Sequence, residues 1–306
     1  MLRFVAIRLL QLAATLLVLS ALIFGLVRLA GDPAALMLDT TATRADYEMF
    51  RHELGLDQPI WVQYGIFLKS ALVGDLGLSL RSKLPVWDSI SAALPNTGKL
   101  TLASMALALA MSIPLGVAAA VYKGTWIDAF VRFIAGVGQS VPTFWVGLVL
   151  INVFVIQLGL LPSSGMGSWQ HYLMPSFTLG IFMMAGIARL LRSSMLEVLE
   201  SDYIKLARLK GVPERDVIWK HALRNSLLPV LSFGGMYIAI LMTGAILVET
   251  VFAWPGFGRL AQTAIVNQDF PVIQGVVLVG GAIGVVASLI TDLLYAWIDP
   301  RIRLGR

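Results

Sequence analysis

Apolar and charged positions are strongly segregated along the chain. A bilayer core of about 30 Å is crossed by roughly 20 apolar helical residues, and runs of that length without Asp, Glu, Lys or Arg recur from end to end. One runs from Leu9 to Val27 behind Arg3 and Arg8, and a second from Leu100 to Tyr122. The uncharged stretch from Phe133 to Ala188 holds two crossings, Phe133 to Leu160 and Tyr172 to Ala188, with the turn cluster Pro162-Ser163-Ser164-Gly165 between them. Two more lie near Asn225 to Val248 and Val272 to Thr291. The pattern predicts an all-α polytopic membrane protein with six transmembrane helices. A charged side chain at a helix centre costs about 2.5–3.5 kcal/mol on insertion scales, which accounts for the empty runs. The first run is longer than a signal-peptide core and lacks a clean small-x-small cleavage site, so it reads as a retained span.

Composition agrees. The 306 residues are 58% hydrophobic and 13% charged, with mean hydropathy +0.80, against about 25% charged in an ordinary soluble domain. The formal charge of +5 raises the question of nucleic acid, and its placement answers it. With the N-terminus inside, the cytoplasmic side collects Arg3 and Arg8, Lys123 and Arg132, eight bases between Arg189 and Arg224, and Arg301, Arg303 and Arg306. The positive-inside rule then puts both termini in the cytoplasm, and the basic excess reports orientation, not a nucleic-acid surface.

Candidate chemistry is sparse. With no cysteine, thiol catalysis, disulfides and thiolate metal sites are excluded. Asn96-Thr97-Gly98-Lys99-Leu100 lacks the earlier glycine and the final hydroxyl of a phosphate-binding loop, and Leu231-Ser232-Phe233-Gly234-Gly235, which imitates an ATPase signature, sits inside an apolar run. His52, His171 and His221 fall in loops without metal-site spacing. Glu249 and Asp292 stand at span ends where water is near. With no carboxylate at mid-depth, an ion-coupled secondary transporter is the weaker reading. Pro114 and Pro142 are expected to kink their spans, and Gly136 with Ser140, like Gly280 with Gly284, to admit a neighbouring helix. Gln139, Ser140, Thr143 and Asn152 are candidate pathway-lining groups.

Between the fourth and fifth runs lies the most informative soluble stretch. Met195, Leu199, Tyr203, Leu206 and Leu209 recur at helical steps and share one face. Gly211-Val212-Pro213 then stops one helix and starts the next. The stripe faces either the bundle's own inner surface and the headgroups or a groove on a cytoplasmic protein.

The run Asp202-Tyr203-Ile204-Lys205-Leu206-Ala207-Arg208-Leu209-Lys210-Gly211, followed by His221-Ala222-Leu223-Arg224-Asn225-Ser226-Leu227-Leu228-Pro229, closely resembles the EAA-type loop of ABC importer permeases in its dipeptide, oligopeptide and nickel version. Further matches lie in order along the chain: Gly31-Asp32-Pro33, Leu54-Gly55-Leu56-Asp57-Gln58-Pro59, Gly74-Asp75-Leu76-Gly77-Leu78-Ser79, Glu249-Thr250-Val251-Phe252 with Pro255-Gly256-Phe257-Gly258-Arg259, and Asp292 to Ala296 with Asp299 to Arg303. The broad consensus of an acid and two alanines reads Lys205, Leu206 and Ala207 here, so a salt bridge from that acid does not carry over.

The resemblance implies a B-type subunit of type I importer architecture in the bacterial inner membrane. It implies a first segment and span (1–30), an extracytoplasmic segment (31–96), a transmembrane core (97–297) with a coupling loop (193–224), and a cytoplasmic tail (298–306). It also implies a second, C-type permease chain, two ABC ATPase subunits holding ATP and magnesium, and an extracytoplasmic binding protein. This chain itself would be no enzyme and would hold no cofactor. Tyr203, Leu206, Ala207, Lys210, Gly211 and Pro213 would meet the ATPase. The cargo expected is a di- or oligopeptide, the alternatives being glutathione, an opine or chelated nickel.

Overall fold

The computed structural model describes residues 2–30, 43–53 and 55–298. The motifs at Gly31 to Pro33 and Asp299 to Arg303, with the 299–306 part of the tail, lie outside the described residues, as does the side chain of Asp292. Among the described residues the regular structure is helical: α1 (Leu2–Ala30), α2 (Arg44–Glu53), α3 (Ile60–Leu72), α4 (Val86–Val121), α5 (Trp126–Ser140), α6 (Thr143–Gln157), α7 (Gln170–Leu199), α8 (Asp202–Leu209), α9 (214–244), α10 (Ile246–Val251), α11 (Phe257–Val266) and α12 (Phe270–Ile298). Two wider π turns, Ile151–Gln157 and Val217–Ala222, are set into α6 and α9.

Among the described residues four helical stretches are long and apolar enough to cross a membrane, namely Leu10–Leu29, α4, α7 and Phe270–Leu289. A fifth arises if α5 and α6, bent by 106° at a short break, form one span. The chain is therefore an all-α, multi-pass membrane protein with four to five clear spans. The run from Asn225 to Val248 is helical too, over Leu223–Gly244 and α10.

The chain clusters into two compact units, one from 1–96 with 256–285 and one from 97–255 with 286–306. In the first, α3 lies along α1. Ser20 Oγ and Tyr64 OH are 2.8 Å apart, and the Phe24 ring meets Tyr64 edge-on and Phe67 at a tilt. Val86 and Ile90, at the start of α4, are buried with Phe257, Ala261 and Ala264 of α11 and Val272 and Val276 of α12. The Gly74-to-Ser79 motif forms a tight turn whose tip is clamped by Asp269, which accepts hydrogen bonds from Ser79 Oγ at 2.5 Å and Leu80 N–H at 3.1 Å. Gly280 is packed by the Phe257 ring rather than by a helix backbone.

In the second unit α7 is central, with 67% of its apolar window buried. Its core residues Met183, Ile187, Leu191 and Met195 join Leu100 of α4, Val230 of α9 and Trp254. Gly180 sits where a side chain would strike the Ser104 carbonyl at 2.9 Å, so α4 and α7 meet backbone to backbone.

Two expectations change here. Glu249 is not a wetted end residue: it is fully buried and accepts a 2.5 Å hydrogen bond from Thr97 Oγ1. The helix it was assigned to ends at Gly244, and the short α10 turns Glu249 inward. On α5 the residue that admits α7 is Gly138, which would meet Ala185 Cβ at 3.1 Å, whereas the space beside Gly136 is open.

Candidate functional site

The cytoplasmic loop begins where α7 stops at Leu199. Ser201 is extended (φ −70°, ψ 154°), and its hydroxyl bonds the Val198 carbonyl at 2.5 Å, so the chain turns before α8 starts. This break divides the apolar stripe expected on a single helix. Met195 remains in the core. On α8 the buried residue is Ile204, fully shielded, while Tyr203, Leu206 and Leu209 are 44%, 52% and 85% exposed. The extended Ser201 backbone resets the register, so α8 docks through Ile204 and turns Tyr203, Leu206 and Leu209 outward.

The end of α8 is built as the sequence predicts. Gly211 is left-handed at φ +77°. Its N–H bonds the Arg208 carbonyl at 3.0 Å and the Val212 N–H bonds the Ala207 carbonyl at 3.2 Å, the paired closure of a Schellman cap. Pro213 then leads directly into α9 at Glu214. Across the turn Arg208 grips Glu214 with two bonds, Nη2 to Oε1 at 2.7 Å and Nε to Oε2 at 3.1 Å. The guanidinium holds the Glu214 carboxyl below the usual range. Asn225 Nδ2 donates to the Tyr203 hydroxyl at 2.7 Å, tying α8 to α9. Ala207 is half-buried, and Lys210, Gly211 and Pro213 are exposed.

The second candidate feature is the break between α5 and α6. Proline lacks an N–H and disfavours helical backbone in the residue before it. Val141 is accordingly extended (φ −85°, ψ 132°), as is Pro142 (φ −59°, ψ 131°). The expected kink is a full break. Ser140 and Thr143 flank it, Ser140 exposed with its hydroxyl on the Gly136 carbonyl at 2.9 Å and Thr143 half-buried. Half-buried Gln139 points toward Gly186 of α7. Asn152 lies farther along α6, exposed in the π turn, where it accepts a hydrogen bond from Gln157 at 2.8 Å. Three of the four pathway candidates thus gather at one bend and the fourth does not.

Comparison with known proteins gives a consistent picture. Residues 112–304 match the family described as "Binding-protein-dependent transport system inner membrane component", and residues 1–101 match its N-terminal companion. The "Glutathione transport system permease protein GsiC" of Escherichia coli (strain K12) is 43% identical over 304 residues, covering 99% of both chains. The protein of the same name from Shigella dysenteriae serotype 1 (strain Sd197) is equally similar. Among solved structures, a chain of the MetNI methionine ABC transporter in an inward-facing conformation superposes with TM-score 0.56 at 16% identity, over 69% of this chain and 96% of that one.

Proposed function

The chain belongs to the family of inner membrane components of binding-protein-dependent transport systems, and from that premise we propose that it is the B-type permease subunit of an ATP-driven importer of glutathione. It is a multi-pass permease of the ABC-importer type and not itself a catalyst. The observation that carries the coupling role is the outward apolar face of α8: Tyr203, Leu206 and Leu209 are exposed on a short helix closed by a Schellman cap and clasped by Arg208 and Glu214. Surface so placed favours a protein partner, here two ATPase subunits. Tyr203, Leu206, Ala207, Lys210, Gly211 and Pro213 form the docking surface, and Gln139, Ser140 and Thr143 line the pathway, with Asn152 a more distant contributor. A second permease chain completes the pathway and an extracytoplasmic binding protein delivers the cargo.

Six spans are proposed, α9 with α10 supplying the one that the clear spans leave out, and both termini are cytoplasmic. Residues 31–96 face the binding protein, 97–297 carry the core with the loop 193–224, and 298–306 form the tail. Full-length similarity to glutathione permeases supports the tripeptide glutathione over di- and oligopeptides in general.

The test is reconstitution with the partner subunits. Gly211→Glu, or a deletion within Leu206 to Gly211, is expected to abolish both uptake and ATPase co-purification. Normal assembly and transport in those variants would refute the docking role. Uptake of labelled glutathione in preference to unrelated dipeptides checks the cargo, and flux from this chain alone under an ion gradient would point to a secondary transporter instead.

A further inference from the structure

Asp128, in the first turn of α5, has a side chain only 2% exposed. Arg192 of α7 meets it in a fork, Nε to Oδ1 at 2.6 Å and Nη2 to Oδ2 at 2.8 Å. Two parallel charge-assisted bonds fix angle as well as distance. The Gly124 N–H donates to Oδ2 at 3.0 Å, and Arg132 approaches Oδ1 at 3.3 Å. Both carboxylate oxygens are therefore engaged by groups from the α4–α5 turn, from α5 itself and from α7.

Stability alone does not call for such a pair, because well-packed apolar side chains in its place are often as stabilising. Its distinctive property is register. Near its other end α5 meets α7 again, with Gly138 against Ala185. Held at two points, α5 is bound to follow α7. Arg192 lies two helical turns before Leu199, where α7 gives way to α8, and Lys123 to Glu200 at 3.1 Å adds an exposed tie beside that exit. Beyond Ser140 the support changes. The Val141 N–H still bonds the Val137 carbonyl at 3.0 Å, but the extended Val141-Pro142 pair and the missing proline N–H interrupt the ladder there, and α6 packs at Gly147 on the Phe252 ring and on Thr178 of α7. The gap in the backbone ladder lies at the bend, while the fork holds α5 to α7.

We propose that Asp128 and Arg192 are positioning residues, the joint through which displacement of α8 is delivered as a change of angle between α5 and α6, where Gln139, Ser140 and Thr143 lie. The inference rests on the docking of α8 against the ATPase, and its test is scored only on assembled complexes, so its failure leaves that docking intact. In the reconstituted importer, Asp128→Asn and Arg192→Gln are expected to retain the ATPase subunits and basal ATP hydrolysis while substrate moved per ATP falls by about tenfold. The exchange Asp128→Arg with Arg192→Asp is expected to restore part of that ratio, whereas a merely structural role would lower assembly in the single variants and leave the ratio of the assembled complexes unchanged. Unchanged transport per ATP in the assembled single variants would overturn the proposal. A second measurement needs no disruptive variant. With no native cysteine to interfere, spin labels at Phe130→Cys and Glu197→Cys should keep one separation with and without ATP. A change beyond about one helical turn, roughly 5 Å, would overturn the joint.

Discussion

Thr97 and Glu249 show how much a single residue's environment depends on contacts far away in the chain. Glu249 reads as an end residue near water because its neighbours in sequence end an apolar run. In the fold it is buried and bonded to Thr97, 152 positions away, and no local pattern reports that. Asp128 and Arg192, 64 positions apart, were hidden for the same reason. The cap at Gly211 was legible, because glycine, the turn and the following proline are adjacent and the left-handed backbone is a local demand. Thr97→Val removes one donor to a buried carboxyl without changing side-chain shape. It is expected to lower stability by about 1–3 kcal/mol, read as a lower midpoint in thermal unfolding of the detergent-solubilised protein. The Arg208–Glu214 clasp is half in water and contributes at most about 1 kcal/mol. Because the folded Glu214 carboxyl is depressed, that contribution is complete above the ordinary glutamate range and disappears as pH falls through the depressed value.

At the scale of elements, prolines mark several helices but break only one. Pro114 lies inside the uninterrupted α4, and Pro175 and Pro229 lie inside α7 and α9. At Pro142 a second feature is added, the Ser140 hydroxyl, which takes the Gly136 carbonyl at the end of α5 and competes with the helical ladder. Proline position alone therefore does not tell a residue that ends a helix from one carried inside it. Pro142→Ala shifts the balance toward a straight helix by up to about 3 kcal/mol. Uptake by the reconstituted importer is expected to fall, with a longer spin-label distance across the bend, and unaltered transport would show the break to be incidental. The division of the α7–α8 stripe was likewise unreadable. Its apolar spacing continues through Glu200 and Ser201, and only the extended Ser201 backbone interrupts it.

For the molecule as a whole, hydropathy made the membrane class and most spans legible, since insertion cost acts on every residue in a run. It placed the start of the second span at Leu100, where the charge-free run begins, and so missed the earlier part of α4. A face signal was present in Val86, Ile90, Ala93 and Thr97, all buried at helical spacing, but Asp88, Asn96 and Lys99 masked it. At about 1.5 Å per residue α4 is about 54 Å long, and its apolar part beyond Lys99 already matches a bilayer core of about 30 Å. With that part in the bilayer, residues 86–99 would add about 21 Å of helix, longer than a headgroup layer of roughly 7 Å per side. Trp87, 49% exposed at its tip, should fluoresce unchanged when quencher-bearing lipids replace ordinary ones around a variant keeping only that tryptophan. The first turns of α4 are thus expected to answer to aqueous conditions rather than to the lipid around the rest of the helix.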